Sequence, residues 1–238
     1  MSAEREALVL LPGFLCDQSY WQDQIDALSD VAGCSCAAYG TLDSLPAMAE
    51  SVLRNAPEKF SLAGHSMGGR IALEVFRQAP ERVKRLALFN TGATPRAAGA
   101  LGDEEERGRR GLLEIARSQG MRAMALKWIP NMVAPARRSD TALTEAIVQM
   151  FERKNPQTFE AQMMALLNRP DATQLLPRIS CPTLVLTGQE DAWSTPAAHQ
   201  QIAAAIPNGR LVLVPGSGHM STMERPAEVA EAMRGWLG

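Results

Sequence analysis

Between residues 60 and 79 the chain changes its hydrophobic period across one glycine-flanked serine, and few folds accommodate such a change. Phe60-Ser61-Leu62-Ala63 reads as the end of a buried strand. From Met67 to Ala79 the apolar residues Ile71, Ala72, Val75 and Phe76 recur at helical spacing until Pro80 ends the pattern. Ser66 sits at the junction, inside Gly64-His65-Ser66-Met67-Gly68-Gly69. So sharp a turn strains the serine backbone and leaves no room for side chains at 64 or 68, while Gly69 lets the helix close on the sheet. The hydroxyl is left exposed at a helix N-terminus, where backbone N–H groups and the helix dipole favour a developing negative charge.

The rest of the chain has to supply a sheet for this strand. Ala7-Leu8-Val9-Leu10-Leu11 is a continuous apolar run ending in Pro12-Gly13, the pattern of a strand buried on both faces. Tyr20 to Leu28 places Trp21, Ile25 and Leu28 on one helical face. A weaker strand is expected at Ser35 to Tyr39, a helix at Leu45 to Asn55 and a strand at Arg85 to Asn90. Pro182 opens a strand at residues 183–188, Thr195-Pro196 caps a helix running to about Ile206, and a strand at Arg210 to Val214 precedes a helix from Pro226 to Leu237. This alternation predicts an α/β fold with a mostly parallel six-stranded sheet flanked by helices. From about residue 97 to 177 no strand is legible, and helices are expected at 104–118, 120–128, 140–153 and 156–168. The expected organisation is therefore a core of residues 1–96 and 178–238, with 97–177 inserted as a helical cap over the C-terminal edge of the sheet.

Composition narrows the functions open to such a chain. With 238 residues and a net charge of −2 it can bury a sizeable core but offers no basic surface for nucleic acid or an anionic membrane. No apolar run is long enough to cross a bilayer, and the charged N-terminus lacks an apolar leader, so a cytoplasmic location is expected. Cys16, Cys34, Cys36 and Cys181 form no disulfide framework or zinc spacing, and with three histidines in all neither metal nor cofactor is expected.

A serine hydroxyl needs a base within hydrogen-bond reach. His65 adjoins Ser66 but should point away from it on so tight a turn, and His199 falls in a polar helix and reads as a surface residue. His219 remains, on the Pro215-Gly216-Ser217-Gly218 turn after the last strand, where open α/β sheets carry their working groups. The loop after strand 183–188 offers Glu190 and Asp191 as its anionic partner.

The Gly-x-Ser-x-Gly turn, Gly188-Gln189-Glu190-Asp191 and Gly218-His219-Met220 through Glu224-Arg225-Pro226 together resemble the α/β-hydrolase superfamily, over nearly the whole chain. That resemblance makes the turn at Ser66 a nucleophile elbow and implies a catalytic triad of Ser66, Asp191 and His219, with Glu190 the alternative acid. It implies an oxyanion hole from the backbone N–H groups of Met67 and Phe14. Pro12 departs from the histidine usual in the Leu11-Pro12-Gly13-Phe14-Leu15 turn, but the donating amide is unaffected. The hairpin that usually precedes the first strand has no room in the six residues before it, which leaves a sheet edge suited to a homodimer. Candidate pocket residues are Leu15, Trp128, Met132, Met163, Trp193 and Met220, although Trp193 could equally pack as loop core. Arg96, Arg122 and Arg169 are candidate carboxylate anchors that read more readily as solvated. The methionines of the insertion read more as its core than as lining, although flexible thioethers suit a site for varied apolar groups. The expectation is a cofactor-independent serine hydrolase of small to medium apolar esters or lactones. A C–C bond hydrolase or thioesterase using the same triad is the alternative, and a non-catalytic ligand-binding member of the fold is the second.

Overall fold

The computed structural model describes residues 5–238. Its first strand, β1 (Glu6–Leu11), leads through a 3-10 turn (Gln18–Trp21) into α1 (Gln22–Ala27), β2 (Ala32–Cys36) and α2 (Leu45–Asn55). Next come β3 (Phe60–His65), α3 (Met67–Gln78) and β4 (Val83–Phe89). Four helices follow with no strand between them: α4 (Ala100–Gln119), α5 (Met121–Trp128), α6 (Thr141–Glu152) and α7 (Pro156–Leu167). The chain then returns to the sheet with β5 (Thr183–Gly188), α8 (Pro196–Ala205), β6 (Gly209–Val214), a short α9 (Ser221–Glu224) and α10 (Pro226–Leu237).

Among the described residues the sheet has six strands in the order β2-β1-β3-β4-β5-β6, and every neighbouring pair is parallel. β3 and β5 are buried along their whole length, as central strands of a parallel sheet are when both faces are covered. The order reverses between β1 and β3, since the chain first moves outward to β2 and then resumes on the other side of β1. In open parallel sheets ligands bind beyond the strand ends at such a reversal. The turns after β1 and β3, which carry Phe14 and Ser66, both emerge there.

Three elements differ from expectation. β2 lies at Ala32–Cys36, three residues earlier than the expected Ser35 start. Its register, Glu6↔Ala32 to Leu10↔Cys36, is set by its partner, and as a half-exposed edge strand it carries little apolar signal of its own. Residues 18–28 split into a 3-10 turn and a short α1. α4 starts at Ala100, and Gly120, at φ 90°, separates it from α5. The question of a hairpin ahead of β1 falls largely on residues 1–4, outside the described residues. No helix among the described residues is long and apolar enough to cross a membrane.

Candidate active site

Ser66 is the N-cap of α3 at φ 53° and ψ −113°, a left-handed conformation that costs a non-glycine residue strain. Two glycines make the turn possible. A Cβ on Gly64 would lie 2.3 Å from the Gly68 carbonyl oxygen, and one on Gly68 only 2.1 Å from that of Leu11. Both obstacles are backbone and cannot swing aside. The Ser66 N–H donates to Phe89 O at 2.8 Å, anchoring the turn to β4.

His219 arrives from the loop after β6, and its Nε2 lies 2.9 Å from Ser66 Oγ. Its Nδ1 lies 2.8 Å from Asp191 Oδ2, from the loop after β5. Asp191 is 3% exposed, so its charge must be satisfied internally. The N–H groups of Trp193 and Ser194 donate to Oδ1, each at 2.9 Å, and Asn90 Nδ2 donates to Oδ2 at 2.9 Å. Burial alone would raise the Asp191 carboxyl. The His219 ring, with Asn90 and the backbone donors, outweighs burial and holds it well below the usual carboxylate range. Ser66, His219 and Asp191 thus come together in one hydrogen-bonded line. Glu190 is exposed and engages the site only through its backbone N–H, which donates to Ser217 O at 2.9 Å.

The His219 loop is held from three sides. The His219 N–H donates to Met132 O at 2.6 Å, and His65 Nε2 lies 2.9 Å from His219 O. Glu224, 1% exposed, accepts from the N–H groups of Gly218 (2.9 Å), Met220 (3.1 Å) and Ala134 (2.7 Å). His65 therefore braces the other histidine's backbone, and burial pushes its own pKa well below the ordinary histidine value. His199 is a correction. It is fully buried, not a surface residue: its Nε2 accepts from Thr91 N–H at 3.1 Å, and Thr91 Oγ1 donates to Ser66 O at 2.7 Å. A histidine followed by two glutamines on α8 looks solvated until its contact with Thr91, beyond the end of β4, is known.

Met67 and Phe14 flank the serine. The glycine before Phe14 would place a Cβ 3.3 Å from Ser66 Cβ, and neither the Phe14 nor the Met67 N–H enters a turn or loop backbone bond. A cavity of about 1100 Å³ opens over Ser66, lined by Phe14, Trp128, Met132, Trp193 and Met220 among others. Trp193 is 44% exposed with its ring 5.0 Å from that of His219, so it walls the cavity. Trp128 packs on Phe14 at 5.6 Å and on Trp193 at 5.6 Å. Leu15 and Met163 are corrections: both are fully buried and neither lines the cavity. Leu15 turns inward at φ 60° while its N–H donates to Gln162 Oε1 at 2.8 Å, and Met163 packs inside the helical segment.

Arg96 and Arg122 pair with acids at the surface. Arg169 is a further correction, since its side chain is only 9% exposed and it lines the cavity together with Arg70 and Arg109. Sequence reasoning missed Asn90, Gln162, Glu224 and two of these arginines. Asn90 alone left a trace, a polar residue closing an apolar strand. No group of three or more metal-ligating side chains is close enough to hold a metal among the described residues.

A serine hydroxyl meeting a histidine held by a buried aspartate is a constellation found in serine hydrolases on parallel α/β sheets. Residues 8–232 match the model of the alpha/beta hydrolase family, and the chain belongs to that family. It is 26% identical over 233 residues, 93% of this chain and 91% of the relative, to the pimeloyl-[acyl-carrier protein] methyl ester esterase of Nitrosomonas europaea. It is 27% identical over 255 residues, 98% of this chain and 91% of the relative, to the (E)-2-((N-methylformamido)methylene)succinate hydrolase of Acinetobacter baylyi. A malate-bound thermophilic esterase from Thermogutta terrifontis superposes with a TM-score of 0.85 at 30% identity, covering 99% of this chain and 90% of that one.

Proposed function

We propose that the protein is a serine hydrolase of carboxylic esters or lactones, with Ser66 as nucleophile, His219 as base and Asp191 as the acid that orients it. The observation that carries this reading is the line Ser66 Oγ–His219 Nε2, 2.9 Å, and His219 Nδ1–Asp191 Oδ2, 2.8 Å. A buried carboxylate on Nδ1 fixes the tautomer whose Nε2 accepts a proton, and it offsets the imidazolium that then forms. His219 takes the Ser66 proton as Oγ attacks the carbonyl carbon. The negative charge gathers on the carbonyl oxygen beneath the Phe14 and Met67 N–H groups. Collapse breaks the bond to the alcohol oxygen, which His219 protonates, and water repeats the sequence on the acyl-enzyme.

The helices between residues 97 and 177 act as a cap in this reading, since Trp128, Met132 and Phe151 from that segment line the cavity above Ser66. Their aromatic and thioether surfaces suit an apolar acyl or alcohol group. An esterase among the relatives and another among the structural neighbours support an ester bond as the target.

The test is covalent labelling by a fluorophosphonate together with turnover of short p-nitrophenyl esters. Ser66→Ala should abolish labelling and lower turnover by at least about a thousandfold with the fold intact. Asp191→Asn should be severe and Glu190→Gln mild. Turnover that survives in Ser66→Ala would remove Ser66 as the nucleophile.

A further inference from the structure

Besides its aromatic residues, the cavity over Ser66 carries three guanidinium groups from three different parts of the fold. Arg70 stands on α3, one turn after Ser66, Arg109 stands on α4, and Arg169 follows the end of α7. A single carboxylate, Glu105, organises two of them. Arg169 grips it as a fork, Nη1 to Oε1 and Nη2 to Oε2, both at 2.8 Å, and Arg109 Nε donates to Oε1 at 3.1 Å. Both carboxylate oxygens are thereby used. Among the described residues Arg109 keeps its outer nitrogens free of hydrogen bonds, and the buried Arg169 Nε has no partner.

Arg70 has no acidic partner among the described residues. Its Nη1 donates to Thr94 O at 2.7 Å, and its Nη2 lies against Gly92, where a Cβ would approach to 2.7 Å. The glycine gives the guanidinium room along the cavity wall. Burial, and then the nearby Arg169 charge, lower the Arg70 pKa to about 9 despite the opposing pull of Glu105, so it remains protonated at neutral pH without an ion-pair partner of its own. Glu104 also lines the cavity but is exposed. Counting it, three positive side chains face two negative ones.

An ion-pair bolt between α4 and the end of α7 explains Glu105 and Arg169. It does not explain Arg70, which belongs to the core and pairs with neither acid, nor the unused outer nitrogens of Arg109. Position matters as well. The Arg109 guanidinium lies 5.8 Å over the Phe14 ring, and Phe14 belongs to the turn beside Ser66. The cluster therefore borders the reacting groups without entering them.

We propose that Arg70, Arg109 and Arg169 form an anion subsite for a carboxylate, so that the preferred substrates are esters or lactones carrying a second, free carboxylate remote from the scissile bond. Guanidinium forks match the planar two-oxygen geometry of a carboxylate, and a partly dehydrated cavity strengthens each charge-assisted bond. At about 1100 Å³ the cavity holds more than a short ester, and its lining combines aromatic side chains with these three arginines. The subsite rests on the hydrolase reading for its substrate, although not for its ability to bind an anion.

The experiment compares monomethyl esters of glutaric and adipic acid with methyl esters of uncharged acids of matching chain length. The half-esters should have kcat/KM at least about tenfold higher in the wild type. In Arg70→Gln and Arg109→Gln that ratio should fall toward one, chiefly through KM, with Arg70→Lys recovering part of it. Glutarate should also bind to Ser66→Ala in calorimetry and lose affinity when Arg70→Gln is added, with inorganic phosphate titrated in parallel. A wild-type ratio at or below one, or a ratio unmoved by both substitutions, overturns the subsite, as does phosphate binding in place of glutarate. If Ser66 labels and neutral esters turn over without discrimination, the subsite fails while the hydrolase reading stands. If glutarate binds through Arg70 but Ser66 neither labels nor supports turnover, the hydrolase reading fails while the subsite stands.

Discussion

His65, His199 and His219 share a side chain and differ in everything their surroundings impose. His219 keeps contact with the cavity, whereas His199 is fully buried and burial lowers its pKa to about 4. In an unfolded chain the same ring takes up its proton near pH ~6.5. The folded state therefore gains stability from the neutral ring above about pH 6.5 and loses it as pH falls toward 4, by up to roughly 3 kcal/mol. His65, shifted in the same direction, adds to that acid sensitivity. Denaturant midpoints measured at pH 7.5, 5.5 and 4.5 should fall with acid, and fall less steeply in His199→Gln. His199→Ala should also lower stability at neutral pH by about 1–3 kcal/mol, because the Thr91 N–H loses its buried acceptor. Gly68→Ala is the harsher single change, since its Cβ meets the Leu11 carbonyl at 2.1 Å, and it should abolish Ser66 labelling or folding itself.

Elements that share one apolar core are also coupled by polar groups at their ends. Glu224, at the end of α9, holds the loop after β6 and the 132–134 stretch with one carboxylate that accepts three N–H groups. Burial raises its pKa, an effect those donors and Arg137 reduce without cancelling. Glu224→Gln turns one acceptor into a donor facing N–H groups. The expected cost is about 1–3 kcal/mol of stability, together with a loss in kcat larger than the rise in KM, since the backbone of His219 is released while the cavity wall is kept. Trp128 tests the neighbouring element. Lying between Phe14 and Trp193, it should set the size of the acyl or alcohol group. Trp128→Ala should raise the kcat/KM ratio of long over short esters about tenfold. An unchanged ratio in a destabilised protein would make it packing only.

At the scale of the whole molecule, the question is what holds the helical segment 97–177 on the sheet. The ion pair Arg153–Asp17, at 2.8 Å, joins them at the surface, where such pairs contribute about 0–1 kcal/mol and weaken with salt. Gln162, 3% exposed on α7, reaches across the boundary and accepts the Leu15 N–H beside Phe14. Removing that acceptor leaves a buried donor unpaired in a turn already strained at φ 60°. Gln162→Leu should therefore destabilise the protein and depress kcat for every ester alike, whereas Arg153→Ala or raised salt should do little. A Gln162→Leu enzyme with full kcat would show that the turn holds its shape without the helices.

The order of elements, the parallel sheet and the turn at Ser66 were legible in the sequence because each rests on local periodicity or on a glycine spacing that only one backbone geometry requires. His219 and the pair Glu190 and Asp191 could be singled out because they lie on loops directly after strands of a parallel sheet, so chain order carried spatial order. The choice of Asp191 over Glu190 came from the resemblance to the superfamily. β2 was misplaced by three residues because an edge strand takes its register from its neighbour. Leu15 and Met163 were read as lining and His199 as solvated because the inward or outward sense of one side chain depends on what packs against it. The arginine cluster was beyond reach for the same reason. Arg70 and Arg109 look like ordinary surface charges along the chain, Arg169 could be named only as one of three candidate anchors, and only the tertiary structure brings the three, from separate elements, to one cavity.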